Sequence, residues 1–180
     1  MRTTIRKWFW AWEFDKEEKW LDEMSAQGKV LVSACYATYE FEDCAPGEYA
    51  VRLEMLEHDP ASEEGKQYIA FVEETGAEYV GHVMKWVYFR KKTADGPFEL
   101  HSDNKTRMKH LKRIIALLRP LAVVNVGLAG YNFCVGVGLA SPVNVVCSML
   151  SVAVAVLLGI GMVKLNDKKL QLEKESQLFE

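Results

Sequence analysis

Apolar residues recur with a period of two through much of the first hundred residues. Tyr49, Val51, Leu53 and Met55 alternate with Ala50, Arg52 and Glu54, which gives an extended segment one apolar face. Thr3 to Trp10, rich in β-branched and aromatic residues, predicts an earlier strand. Val30 to Val32 and Ala37 to Phe41 predict two more, the latter with Ala37, Tyr39 and Phe41 on one face and Thr38, Glu40 and Glu42 on the other, before a turn at Ala45-Pro46-Gly47. Helical spacing intervenes once. Asp15, three residues before Glu18, has the arrangement of a capping box for a helix that carries Trp20, Leu21 and Met24 inward and stops at Gly28.

The plan then repeats. Ser62 predicts the cap of a second helix with apolar positions Tyr68, Ile69, Phe71 and Val72, and Gly76 follows Ile69 by seven residues as Gly28 follows Leu21. Ala77 to Val80 and Met84 to Arg90 predict strands joined near Gly81-His82, and Phe98 to Leu100 a short edge strand. Two β-α-β units in tandem, sharing an antiparallel sheet with both helices on one face, make an α+β fold, a split β-α-β or ferredoxin-like sandwich over residues 1–103.

Beyond this region the periodicity disappears into bulk apolarity. From Pro120 to Val163 the chain runs 44 residues without Asp, Glu, Lys, Arg or His. A bilayer span takes roughly 20 apolar residues, so 121–140 and 143–163 predict a two-helix transmembrane hairpin turning at Ser141-Pro142.

Charge orients that hairpin. Residues 1–104 carry 12 basic and 21 acidic side chains, a net of −9, whereas 105–119 carry six basic and no acidic ones. That juxtamembrane segment (104–119) holds Lys105, Arg107, Lys109, Lys112, Arg113 and Arg119, and Lys164, Lys168 and Lys169 open the charged tail, 164–180. The connecting loop has none. Lys and Arg are retained on the cytoplasmic side, so the expectation is a multi-pass protein of the cell membrane with both termini cytoplasmic. The first residues lack the pattern of a signal peptide. Ser102-Asp103-Asn104 predicts a helix cap, so the basic segment and first span form one helix with a bend at Pro120. A basic run in isolation would suggest nucleic acid. Its position against a span instead implies orientation and contact with anionic headgroups, and nucleic acid is not expected as a partner.

Within the spans, small residues recur every four positions. Gly130, Cys134 and Gly138 on the first and Ser151, Ala155 and Gly159 on the second give each helix a ridge that another backbone can approach, within the hairpin or between protomers. Asn125, Asn132 and Asn144 can hydrogen-bond across helices, and the spans lack the ionisable residue that a solute path would use. A homo-oligomer or a membrane-protein partner is expected.

Catalytic chemistry leaves no motif. There is no G-x-S-x-G elbow, phosphate loop or strand-borne G-x-G-x-x-G, and no Cys-x-x-Cys pair, with His58, His82, His101 and His110 scattered. Neither a cofactor nor a metal is implied. Cys35, Cys44, Cys134 and Cys147 are expected as small packing residues. A pairing of His82 with Glu78 or Glu48 is conceivable, but a surface turn histidine is the simpler expectation. Trp8, Phe9, Trp10, Trp12, Trp20, Trp86 and Tyr88 could line an aromatic cleft for a flat ligand. Alternation would send Trp8 and Trp10 to one face and Phe9 to the other, so core and edge packing is expected instead. The acidic run Glu13, Asp15, Glu17, Glu18, Asp22 and Glu23 could form a carboxylate cluster, but with Lys16 and Lys19 interspersed a solvated helix face is expected.

Several stretches carry a resemblance. Glu18-Lys19-Trp20-Leu21-Asp22-Glu23-Met24 closed by Gly28, Phe41-Glu42 with Pro46-Gly47-Glu48-Tyr49, and Tyr68-Ile69 with Glu73-Glu74-Thr75-Gly76 come in this order. They are followed by Trp86-Val87-Tyr88-Phe89-Arg90-Lys91, Glu99-Leu100 and Ser102-Asp103. Over residues 2–113 this resembles the bacterial domain-of-unknown-function family 2812. The resemblance implies membrane proteins of mostly Gram-positive bacteria, an N-terminal domain ahead of hydrophobic helices, and for some members a gene beside a PadR-type regulator. It implies no reaction. Lys29 and Ala77 depart from the family, which usually has an aromatic after each glycine, and a pocket lined by those aromatics would here be reduced. The function expected is that of a membrane-anchored accessory or regulatory protein whose cytosolic domain binds a protein or a small ligand. A membrane-bound enzyme using the sheet face, or a subunit of a transporter complex, are the alternatives.

Overall fold

A computed structural model describes every residue except Met1, Ser102, Phe179 and Glu180. The chain forms two compact units, Met1–Ser102 and Asp103–Glu180. The first is mixed α+β, and the second is two long helices.

The first unit contains β1 (Thr3–Arg6), α1 (Phe14–Ala26), β2 (Lys29–Cys35), β3 (Thr38–Asp43), β4 (Tyr49–Met55), α2 (Glu63–Glu74), β5 (Glu78–Val83) and β6 (Trp86–Lys92), with 3₁₀ turns at Ala11–Glu13 and Thr93–Asp95. Hydrogen bonding divides the strands into two antiparallel three-stranded sheets, ordered β1-β3-β2 and β4-β6-β5, where one shared sheet was expected. Each is a split β-α-β: the strands flanking the helix are parallel to one another, and the next strand is inserted between them.

The repeat is closer than the glycine spacing suggests. Gly28 and Gly76 both end helices at positive φ, and the two-residue hairpins after Cys35 and Val83 open on Tyr36 (φ 49°) and Met84 (φ 55°). Register shifts fall at Leu31/Ser33 and Tyr79/Gly81. Each of these pairs is 48 residues apart: 28 and 76, 36 and 84, 33 and 81. Both hairpins thus place a large side chain in the left-handed region, at a cost of about 1–3 kcal/mol each.

Two cores result. Under α1, Leu21 and Met24 meet Leu31, Tyr39 and Phe41 of the first repeat and Val51, Leu53 and Tyr88 of the second. Under α2, Val72 and Ala77 meet Val87 and Phe89, with Leu56 and Phe98 closing the cluster. Val87 and Phe89 therefore face one way and Tyr88 the other, which is why β6 reads as an uninterrupted apolar run: both its faces are buried.

Local expectations fare unevenly. Ser62 caps α2 as expected, its Oγ accepting the Gly65 N–H at 3.1 Å. The first helix starts at Phe14, behind a 3₁₀ turn and with Glu13 at its N-cap, so Asp15 lies inside the first turn and does not cap it. β1 ends at Arg6 and does not reach Trp10. The Lys7 N–H bonds Ala37 O in the turn that precedes β3, and no partner strand remains beyond it. Phe98–Leu100 is not a strand, although Phe98 is buried and Leu100 packs against the α2 core.

In the second unit, α3 (Asn104–Gly138) and α4 (Pro142–Leu178) meet along their length. Asp103 caps α3 by accepting the Thr106 N–H, and the helix runs unbroken through the basic segment and Pro120. Leu111, Ile114, Leu118, Ala122, Ala129 and Gly136 are buried at three-, four- and seven-residue spacing, a single stripe. The helices approach closely at Gly136, where a Cβ would lie 2.8 Å from the Val145 side chain, and Ser148 Oγ donates to Ala129 O at 2.9 Å. Pro142 occupies the first position of α4, where its missing N–H costs nothing. Both helices are long and apolar enough to cross a membrane, with only 22% and 11% of their most apolar windows buried.

Candidate functional site

The acidic run on α1 is a solvated face only in part: Asp15 and Glu23 are exposed, whereas Glu17, Glu18 and Asp22 meet protein partners. Along β4, the N–H groups of residues 49, 51 and 53 donate to α1 side chains: Tyr49 to Ser25 Oγ (3.3 Å), Val51 to Asp22 Oδ1 (3.0 Å) and Leu53 to Glu18 Oε1 (2.7 Å). Residues 18, 22 and 25 lie on one helix face, and alternate strand residues point their N–H groups the same way, so the helix closes the edge of β4 as a neighbouring strand would. Arg52 then pairs with Asp22 at 2.8 Å. Burial pushes the Glu18 carboxyl up to about 7, against the pull of the Leu53 N–H.

The residue before Glu18, Glu17, is 7% exposed. Its Oε1 accepts the hydroxyls of Tyr39 (2.7 Å) and Tyr88 (2.8 Å), one from each repeat, while Oε2 receives no hydrogen bond from any described residue. No cation among the described residues pairs with it. Burial raises the Glu17 carboxyl despite both phenols, and burial together with Glu17 raises the two phenols, which stay neutral.

Glu17 forms part of the wall of a half-open cavity of about 150 Å³. Trp8, Phe9, Trp10, Phe14, Tyr36 and Trp86 make up most of the rest. Trp8 meets Trp10 edge to face at 5.5 Å, Phe14 lies 5.9 Å from Trp86, and Trp10 stacks on the buried Trp12 at 5.2 Å. Trp8 and Tyr36 are 62% and 68% exposed, so the rings form a rim open to solvent. The expectation from alternation fails because β1 stops at Arg6: past that point the chain is irregular, and Trp8, Phe9 and Trp10 all reach the same cavity. Of the aromatic candidates, Trp86 and Tyr88 join them there, whereas Trp12 lies behind Trp10 and Trp20 packs on Tyr39 and Phe41.

Other candidates separate. His82 contacts the Tyr79 hydroxyl through Nδ1 at 2.5 Å, Glu78 binds Arg90, and Glu48 accepts the Ala45 N–H, so the imagined histidine–carboxylate pairs do not form. Glu54, expected on a polar face, is 1% exposed and bonded to His101 at 2.7 Å. The sequence offered no signal for that pairing, since 47 residues separate them. Within the second unit, Lys112, Arg119 and Lys169 line a groove of about 350 Å³ with Asn166, Ile115 and Ala116. Lys105, Arg107, Lys109 and Arg113 lie on the same early turns of α3, and Lys164 and Lys168 on α4. A Cβ at Gly130, Gly138 or Gly159 would meet nothing within 4 Å; Cys134 is exposed, and Ser151 and Ala155 are half-buried.

No curated protein and no solved structure matches the chain. The profile of a family described as a protein of unknown function (DUF2812) matches residues 13–124, from the turn before α1 into the sixth turn of α3. That match covers more than half of the sequence and agrees with the resemblance carried by its tryptophan, glutamate and glycine motifs. The chain belongs to the DUF2812 family.

Proposed function

We propose that this protein is a membrane-anchored accessory protein whose α+β unit binds a small ligand in the aromatic cavity. The observation that carries the reading is the solvent-open ring of indoles and phenols around a buried carboxylate that no cation among the described residues balances. Side chains buried only to stabilise a core would turn these rings inward, and a buried charge without a partner is costly unless something else meets it.

Anchoring rests on α3 and α4 crossing the bilayer as a hairpin with both termini cytoplasmic, and the groove of Lys112, Arg119 and Lys169 suits anionic headgroups at the inner surface. The open ridges at Gly130, Gly138 and Gly159 would then serve a second copy or another membrane protein. An acid–base role for Glu17 is the second reading, favoured by the raised carboxyl in a cavity.

The test is a titration of the full chain in a neutral maltoside detergent with a panel of small cationic, neutral and anionic compounds, read by tryptophan emission. A saturable change is expected with one class. Ala37→Leu, which fills the cavity wall, should abolish it. No response to any class would remove the ligand reading, and turnover of a bound compound that is lost in Glu17→Gln would replace it with the enzymatic one.

A further inference from the structure

Resting on the reading of the aromatic cavity as a ligand site, we propose that its ligand is a small organic cation with an alkylammonium head, held between Glu17 and the surrounding rings.

Charge decides the sign. Glu17 is the carboxylate of the cavity, its Oε1 already takes both phenol hydrogens, and Oε2 has no donor among the described residues. An anion entering here would face an uncompensated carboxylate. A neutral molecule would leave Glu17 as it is. A cation supplies the missing partner, and the net charge of −9 over residues 1–104 draws it in.

The walls favour the same class. Indole and phenol faces carry negative quadrupoles that attract cations, most strongly where water is excluded, and a ring of such faces is how quaternary ammonium groups are recognised. The chain uses this attraction beside the cavity: Lys7 Nζ lies 5.1 Å from the centre of the Phe9 ring and 4.5 Å from that of Trp20. Tyr36 stands at the rim and adds a phenol face to the indoles.

Size limits the ligand. Pockets for drug-sized molecules run to about 300–1,000 Å³, so a cavity of about 150 Å³ admits a head such as trimethylammonium and leaves any longer tail outside. Binding pits the cation against the proton on Glu17, so affinity for a permanently charged ligand rises with pH.

The experiment uses the full chain in maltoside, free of choline-headed lipids or detergents. Tetramethylammonium and choline are compared with 3,3-dimethylbutan-1-ol, the uncharged isostere of choline. Three of the five tryptophans line the cavity, so intrinsic emission reports occupancy. Choline should bind at least about tenfold more tightly than the isostere, and Glu17→Gln should bring the two within about twofold. If Glu17→Gln loses its near-ultraviolet circular dichroism, Tyr36→Ala at the rim replaces it, and it should weaken choline more than the isostere. Equal affinity for choline and the isostere, unaltered by either variant, overturns the cation while leaving a ligand site in place. No saturable binding of either probe, with no binding in the wider panel, overturns both.

Discussion

Glu17 of α1 and Tyr88 of β6, 71 residues apart and in different repeats, are joined by a 2.8 Å hydrogen bond from the phenol to Oε1. With Tyr39 bonded to the same oxygen, one carboxylate ties both sheets to the first helix. Tyr88→Phe removes a donor to a buried charged group and should cost about 1.5–3 kcal/mol of stability, measured by urea unfolding. An unchanged midpoint would mean that this bond adds nothing to the stability of the fold.

The first unit should fold without the second. Its two cores are built from residues between 5 and 100, so residues 1–102 alone should be soluble and unfold cooperatively. Leu53, 3% exposed in the α1 core, is the sensitive point: Leu53→Asp buries a charge without a partner and should leave no folded population by circular dichroism. An insoluble 1–102 would show that the sheets lean on the helices.

Stability of that unit should fall as pH rises. The Glu18 carboxyl sits near 7 in the fold against an ordinary value of 4.5, so between these limits the folded chain holds a proton that the unfolded chain gives up. The contribution is fully present below about pH 4.5 and is lost towards pH 7, at most roughly 3 kcal/mol. Glu18→Gln still accepts the Leu53 N–H through its amide oxygen but cannot titrate. Urea unfolding of both proteins at pH 5 and pH 8 should show a larger drop for the wild type, and parallel drops would remove Glu18 as the source.

Orientation can be read from labelling. With the native cysteines replaced, Ala94→Cys and Ser176→Cys should resist impermeant thiol reagents in intact cells and react after permeabilisation. Labelling of either from outside reverses the topology.

Glycines on α3 and α4 should separate hairpin packing from association. Gly136→Leu would drive a side chain into Val145 and should destabilise the hairpin, whereas Gly130→Leu and Gly159→Leu meet open space within the chain and should instead weaken crosslinking between chains. Crosslinking unaffected by either would leave those ridges facing lipid.

The sequence by itself determined whatever depends on neighbours a few residues away. Ser62 caps α2, Gly28 and Gly76 end helices, Val51 and Leu53 share a face, and 44 uncharged residues make two helices broken near Pro142. Each follows from spacing along one helix or strand. Tertiary structure decided what depends on partners far along the chain. The Glu17, Glu18 and Asp22 carboxylates look like a wet helix face because nothing local says that the edge of β4 and the phenols of Tyr39 and Tyr88 will meet them. Trp8, Phe9 and Trp10 share one cavity only because β3 begins too late to extend β1 beyond Arg6, and a strand without a partner loses the alternation that sequence reading assumes.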